Sequence, residues 1–158
     1  SAYLDRAQIA MRQSRFSAAE SDLLSVIASY PDNFLALEQL AVVYQRQRRL
    51  PEAAMVLENA RQAVPYRRCA FSANLAVVQV LGGRREQARE ILESARELVG
   101  SELNAVCPLV LFHLGTLYLE DGETEKARQA YRDYLDVTAR ATDQENLSRR
   151  EIALQRVN

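Results

Sequence analysis

The sequence predicts an all-α fold of stacked helix pairs, and three observations carry the prediction. Apolar residues recur at helical spacing in short blocks. Polar or proline-containing segments punctuate those blocks. The blocks also repeat: Pro31 and Pro65, Ala19 and Ala53, and Leu23 and Leu57 are each 34 residues apart. Residues 37–65 show all three features. Leu37, Leu40, Ala41 and Tyr44 form one apolar stripe. The polar, basic stretch 45–50 breaks it, Ala53, Leu57 and Ala60 form a second stripe, and Pro65 closes the unit. A helix pair this short cannot bury its stripes alone. It needs neighbours of the same shape, which is the physical logic of a solenoid.

The period and the pattern of residues 111–131 resemble the tetratricopeptide repeat (TPR). Leu114, Gly115, Tyr118, Ala127 and Tyr131 take the patterned places. The resemblance implies a right-handed superhelical solenoid of antiparallel helix pairs. Four repeats fit, at about 2–33, 34–67, 68–104 and 105–140, with a capping helix at about 142–157. That makes about nine helices in a single domain spanning 1–158.

Each repeat has its own punctuation. In the first, Tyr3, Ala7 and Ala10 precede a turn at 13–17, with Ser17 a candidate N-cap. Arg6 stands where the pattern wants Leu, which a terminal repeat tolerates. In the second, Ala41 and Ala53 lie where two helices approach closely, and larger side chains would push them apart. In the third, Leu75, Ala76, Ala88, Leu92 and Ala95 keep the pattern, Gly82 and Gly83 make the turn, and one inserted residue falls near Pro65, Tyr66 and Arg67. Gln79 replaces the usual aromatic residue. The fourth runs five residues over period, and the surplus is assigned to 100–104. In the tail, Thr142 or Asp143 is the N-cap, and Leu147, Ile152, Leu154 and Val157 form a thin apolar stripe. That stripe is expected to cover the last repeat, or else to dock on a partner.

Composition bounds the function. The 158 residues are one domain's worth of chain. No run of eighteen apolar residues exists, so no transmembrane helix is expected. A net charge of −1 argues against wholesale nucleic-acid binding. Only Lys126 among the 20 basic residues is lysine, a bias that points to a GC-rich, bacterial genome. The chain opens on Ser1, which reads as a removed leader or a fragment of a longer protein. A cytoplasmic and a bacterial periplasmic or envelope address both stay open. Cys69 and Cys107 are too few for a disulfide scaffold; they read as ordinary half-buried thiols, with a bridge as the alternative. Enzyme chemistry finds little support. His113 and Cys107 fall on different faces of a helix, and no metal cluster, phosphate loop or cofactor motif appears.

In this family the first helix of each repeat lines the concave face, and the resemblance carries that groove onto named residues here. They are Gln8, Leu35, Glu38, Gln39, Val42, Gln45, Ala70, Ala73, Asn74, Val77, Leu109, Phe112, His113 and Thr116, with Leu4, Met11, Val80 and Leu119 beside them. The set is largely apolar and suits a peptide or helix of a partner protein. Asp5, Gln39, Asn74 and His113 form a row that family members use to bond a ligand backbone. Asn74 matches best, because an amide offers both a donor and an acceptor. Phe112 is expected to face the groove and stand clear of the seam between helices. The places of a carboxylate clamp hold no Lys or Arg, which argues against that mode. Arg12 and Arg15, then Arg46, Arg48 and Arg49, then Arg84 and Arg85 fall at successive turns, and Glu120, Asp121 and Glu123 reverse the sign at the fourth. The simpler reading is solvated turn residues; the functional one is a dock for an acidic partner or anionic surface.

The expected function is a non-catalytic adaptor without cofactor, holding a partner segment within a bacterial envelope, secretion or pilus-type assembly. The alternatives are a self-associating structural spacer and the recognition domain of a larger enzyme or regulator.

Overall fold

The structure, a computed structural model, describes residues 2–99 and 107–158. The surplus assigned to 100–104 lies outside them. Among the described residues there are nine α-helices: α1 Ala2–Arg12, α2 Phe16–Ser29, α3 Phe34–Arg46, α4 Leu50–Ala63, α5 Arg68–Leu81, α6 Arg85–Val99, α7 Pro108–Glu120, α8 Thr124–Val137 and α9 Gln144–Val157. A single 3-10 turn, Pro65–Arg67, stands where the inserted residue was expected. The helices fall into two compact units, residues 1–85 and 86–158.

In the first unit, each helix packs on the next in the chain: α1 on α2, α2 on α3, α3 on α4, α4 on α5. The connections are tight because the first helix of each pair ends in the same way. The Ser14 amide bonds the Met11 carbonyl and the Arg15 amide reaches back to the Ala10 carbonyl at 2.8 Å; Arg48 and Arg49 do the same to Gln45 and Tyr44. This is the Schellman closure, which places one residue in the left-handed region. Ser14 (φ 57°) and Arg48 (φ 61°) occupy it. Gly83 and Gly122 hold the same place after α5 and α7, with φ of 74° and 79°. The closure also corrects one expectation. Because the chain re-enters a helix at Phe16, Ser17 lies inside the first turn of α2, and the cap position Arg15 makes no side-chain cap bond. Asn33 does cap α3, accepting from the Ala36 amide at 3.0 Å.

Leu23, Leu40, Leu57, Phe71, Val43, Val64 and Val78 are the large fully buried side chains of this unit. Burying each stabilises by about 1.5–3 kcal/mol. Small residues set the spacing between helices. Ala41 and Ala53 are 1% and 0% exposed where α3 packs on α4. The departure at Arg6 is compensated: its guanidinium donates through two nitrogens to Asp22, a buried acid of α2. A buried carboxylate needs such a partner.

In the second unit α7 packs on α8 and α8 on α9. Tyr131, Tyr134, Leu92, Leu114 and Val110 are its large buried side chains. Asp143 is the N-cap of α9, accepting from the Asn146 amide at 2.9 Å. The docking of α9 differs from expectation. Leu147, Ile152 and Leu154 are exposed, and Ala153 is the buried residue. Polar contacts attach the helix instead. Tyr134 donates to Asn146 Oδ1 at 2.9 Å, and Arg150 donates to the Leu135 carbonyl at 2.6 Å and the Thr138 hydroxyl at 2.8 Å. The C-terminal end of α8 offers carbonyls without helical partners, and a cation there satisfies them. Neither Cys69 nor Cys107 is a free thiol, which corrects the expectation of ordinary thiols; each sulfur is bonded rather than protonated.

Candidate functional site

The residues carried over from the repeat pattern divide between the two units. In the first, Leu35, Glu38, Gln39, Val42 and Gln45 recur at three- and four-residue spacing along α3, and Ala70, Ala73, Asn74, Val77 and Val80 do so along α5. Such spacing puts each set on one helix face. The faces are partly open. Leu35, Val42 and Val80 are 36–37% exposed, and Glu38, Gln39, Gln45, Ala70, Asn74 and Val77 are half-buried. Ala73 is fully buried and serves the core. On α1, Gln8 is exposed and Met11 half-buried, whereas Leu4 is buried.

Polar chemistry on these faces is unspent. Gln8, Gln45 and Asn74 have no partner among the described residues, and the Gln39 Oε1 acceptor is buried without one. Glu38 is engaged: Arg67 reaches it at 3.4 Å. Arg67 also lies over the Phe34 ring, 4.5 Å from its centroid, and its Nε is a buried donor without a partner. Tyr66 meets Phe34 edge-on, with the centroids 6.5 Å apart, and is 70% exposed. The Phe34, Tyr66 and Arg67 cluster was not anticipated. Its one signal was the inserted residue at that turn, which lifts an aromatic ring and a guanidinium onto the edge of the α3 face.

In the second unit the corresponding residues are engaged by their own neighbours. Leu109, Phe112, His113, Thr116 and Leu119 on α7 are all half-buried. The Phe112 ring sits 5.8 Å from Tyr131 and 5.3 Å from Tyr134, centroid to centroid. Phe112 therefore belongs to the α7–α8 seam, which corrects the expectation that it stands clear. The reason is Gly115: its missing side chain lets Tyr131 lean in and meet Phe112. Thr116 donates to the Phe112 carbonyl and pairs with the Tyr131 hydroxyl at 3.1 Å. Burial, aided by Arg149 on α9, pushes the His113 pKa down to about 4. His113 is thus a neutral imidazole near pH 7. The backbone-reading row meets open surface at Gln39 and Asn74, and internal packing at His113.

Among the described residues no group of three or more His, Cys, Asp or Glu could hold a metal ion. No described helix is long and apolar enough to cross a membrane.

The comparisons agree with this geometry. The family model described as tetratricopeptide repeat matches residues 4–68 and 74–145, and the chain belongs to that family. Its members are scaffolds of protein–protein interaction, and the repeat fold is typically non-catalytic. Among solved structures, one similar to this chain is the MamA protein, with TM-score 0.64 and 20% identity over 98% of this chain and 85% of that one. Another is TTC0263, a thermophilic TPR protein of Thermus thermophilus, with TM-score 0.67 and 22% identity over 94% and 78%. A third is a Thermobaculum terrenum O-GlcNAc transferase mutant, with TM-score 0.64 and 23% identity; 85% of this chain matches 25% of that one. At these identities the likeness is one of fold. No curated protein matches the chain in sequence.

Proposed function

We propose that this chain is a non-catalytic adaptor that holds a segment of a partner protein against the α3 and α5 faces of its first unit. The observation that carries the reading is the pairing of half-open apolar side chains (Leu35, Val42, Val77, Val80) with the unpartnered amides of Gln39 and Asn74. Apolar anchors supply affinity, and amides that both donate and accept suit the peptide groups of a bound backbone. A bacterial multiprotein assembly of the envelope, secretion or pilus type is the proposed setting. The arginine bias is what supports a bacterial origin.

Selection from a random peptide library tests the reading. Asn74→Ala and Gln39→Ala each weaken the selected peptides about three- to tenfold, the worth of one hydrogen bond, with helicity unchanged. Undiminished affinity in both variants would remove these faces from the site. One observation favours the second reading, a self-associating spacer: α9 leaves Leu147, Ile152 and Leu154 exposed. A monomer in solution, with and without residues 142–158, rules that reading out.

A further inference from the structure

The turns of the first unit lie at one end of its helix pairs. Consecutive helices reverse direction across tight turns, α2 packs on α3, and α4 packs on α5, so the C-terminal ends of α1, α3 and α5 share that end. A side-chain link confirms the neighbourhood: Glu20, in the first turns of α2, accepts from Arg49 at 2.8 Å and from the Tyr44 hydroxyl at 3.0 Å.

Charge in this unit is segregated along the same axis. Residues 1–85 hold eleven basic and seven acidic side chains. Five of the acids are spoken for: Glu20 and Glu52 by Arg49, Asp22 by Arg6, Glu38 by Arg67 and Glu58 by Arg61. The remaining two, Asp5 and Asp32, sit in the first turn of α1 and in the α2–α3 loop, at the opposite end. At the turn end Arg12, Arg15, Arg46 and Arg48 are exposed or half-buried and have no partner among the described residues. Arg84 joins them, bonded only to the neutral Gln79 amide. The edge therefore carries five arginines that pair with no carboxylate of their own unit; against them stands one acid in excess at the same end, because Glu20 and Glu52 share the single Arg49.

Arg48 adds an independent observation. It holds the left-handed position that glycine or serine occupies in the other three turns. A bulky side chain is rare there. The hydrogen bonds of the turn repay the backbone, so what bears on a partner is the side chain: the exposed guanidinium touches no acid.

We propose that this basic edge, centred on Arg46 and Arg48, docks an acidic protein segment rich in Asp and Glu, on a surface separate from the α3 and α5 faces. Arginine favours carboxylates because its planar fork donates two parallel hydrogen bonds, where a lysine offers a point charge. The turn tips themselves, Gln13, Ser14, Gln47, Gly82 and Gly83, are polar or glycine, and the exposed Leu81 beside them is a single apolar side chain, too little to anchor the edge in a bilayer. A membrane surface is thus the poorer match.

The test is fluorescence anisotropy of the full chain with a labelled Glu-Asp repeat peptide of about 20 residues, against a neutral Gln-Asn peptide. Binding of the acidic peptide alone is expected, weakening about tenfold or more as salt rises from about 0.05 to 0.5 M. Arg12→Gln, Arg46→Gln and Arg48→Gln combined abolish it. Arg48→Gly weakens it about three- to tenfold while the melting temperature holds or rises, because glycine suits the backbone there. Arg132→Gln with Arg140→Gln removes the same kind of charge from the second unit and leaves binding unchanged. The proposal is overturned if the acidic peptide does not bind, or if the Arg132 and Arg140 pair matters as much as the edge. It is equally overturned if vesicles containing about a third phosphatidylserine, or a DNA duplex, compete more strongly than the peptide.

Discussion

Tyr131 of α8 lies directly over Gly115 of α7. A Cβ on Gly115 would stand 2.8 to 2.9 Å from three atoms of that ring. The ring cannot swing aside cheaply, since the Thr116 hydroxyl holds its oxygen and Phe112 packs on it edge-to-face. Gly115→Ala should therefore destabilise the second unit by about 1–3 kcal/mol through overpacking, in spite of alanine's better helix propensity. The denaturant midpoint reads it; an unshifted midpoint would mean that the ring has room to move.

Phe112→Glu forces a charge into the α7–α8 seam and acts first as a stability variant. Phe112→Ala isolates the packing loss, expected at about 2–3 kcal/mol for a half-buried ring. Both should lower the melting temperature. A Phe112→Glu protein as stable as wild type would put the ring back in solvent.

His113 gives the second unit a pH dependence of known sign. Its folded pKa, about 4, lies below the ordinary 6.5, so the folded state binds fewer protons than the unfolded one. The stability it contributes is complete above about pH 6.5 and is lost as pH falls toward about 4. His113→Gln should flatten the stability profile across that window. An identical slope in both proteins would show that the imidazole is solvated.

A second acid-labile contribution lies lower. Arg89 and Lys126 hold the Glu123 carboxylate down at a pKa of about 2, from 4.5. Because the folded pKa is depressed, that contribution is present above about pH 4.5 and disappears as pH falls through about 2. Glu123→Gln should remove it at every pH while leaving the His113 arm intact. Urea midpoints collected from pH 2 to 7 would separate the two, and overlapping curves for the two variants would contradict the assignment.

Ala53→Leu should cost about 1–3 kcal/mol, because its side chain is fully buried where α4 meets α3. The measurement is the melting temperature. An unchanged value would reveal slack in a seam that the structure closes.

The helix pairs were legible because period and punctuation agree. Leu37, Leu40, Ala41 and Tyr44 read as one face and are all buried. The turn at Gly82 and Gly83 was read from the glycines, and Gly83 is left-handed there; Ser14 and Arg48 gave no such signal, since neither type favours that conformation. Long-range compensation was not readable at all. Nothing near Arg6 points to Asp22, sixteen residues on. Of the candidate site, the faces of α3 and α5 followed from helical register. What register could not say is which positions a neighbour claims: Asn74 and His113 hold matching places, yet the first has no partner and the second is half-buried, edge-on to Phe112. Ala73 illustrates the same limit, lying one residue before Asn74 and wholly inside the core.

The Glu20–Arg49 pair reappears in the second unit with its signs exchanged: Arg89, at the matching place on α6, bonds Glu123, at the matching place before α8. A tyrosine stands beside each, Tyr44 under Arg49 and Tyr118 under Arg89. Helices carrying these latches are therefore not interchangeable modules. Splicing the α2 surface against the α8 approach would set Glu20 beside Glu123, so like charges would reject a shuffled order that the apolar pattern alone would accept. The polarity of one latch thus works as an address label, keeping otherwise similar hairpins in sequence.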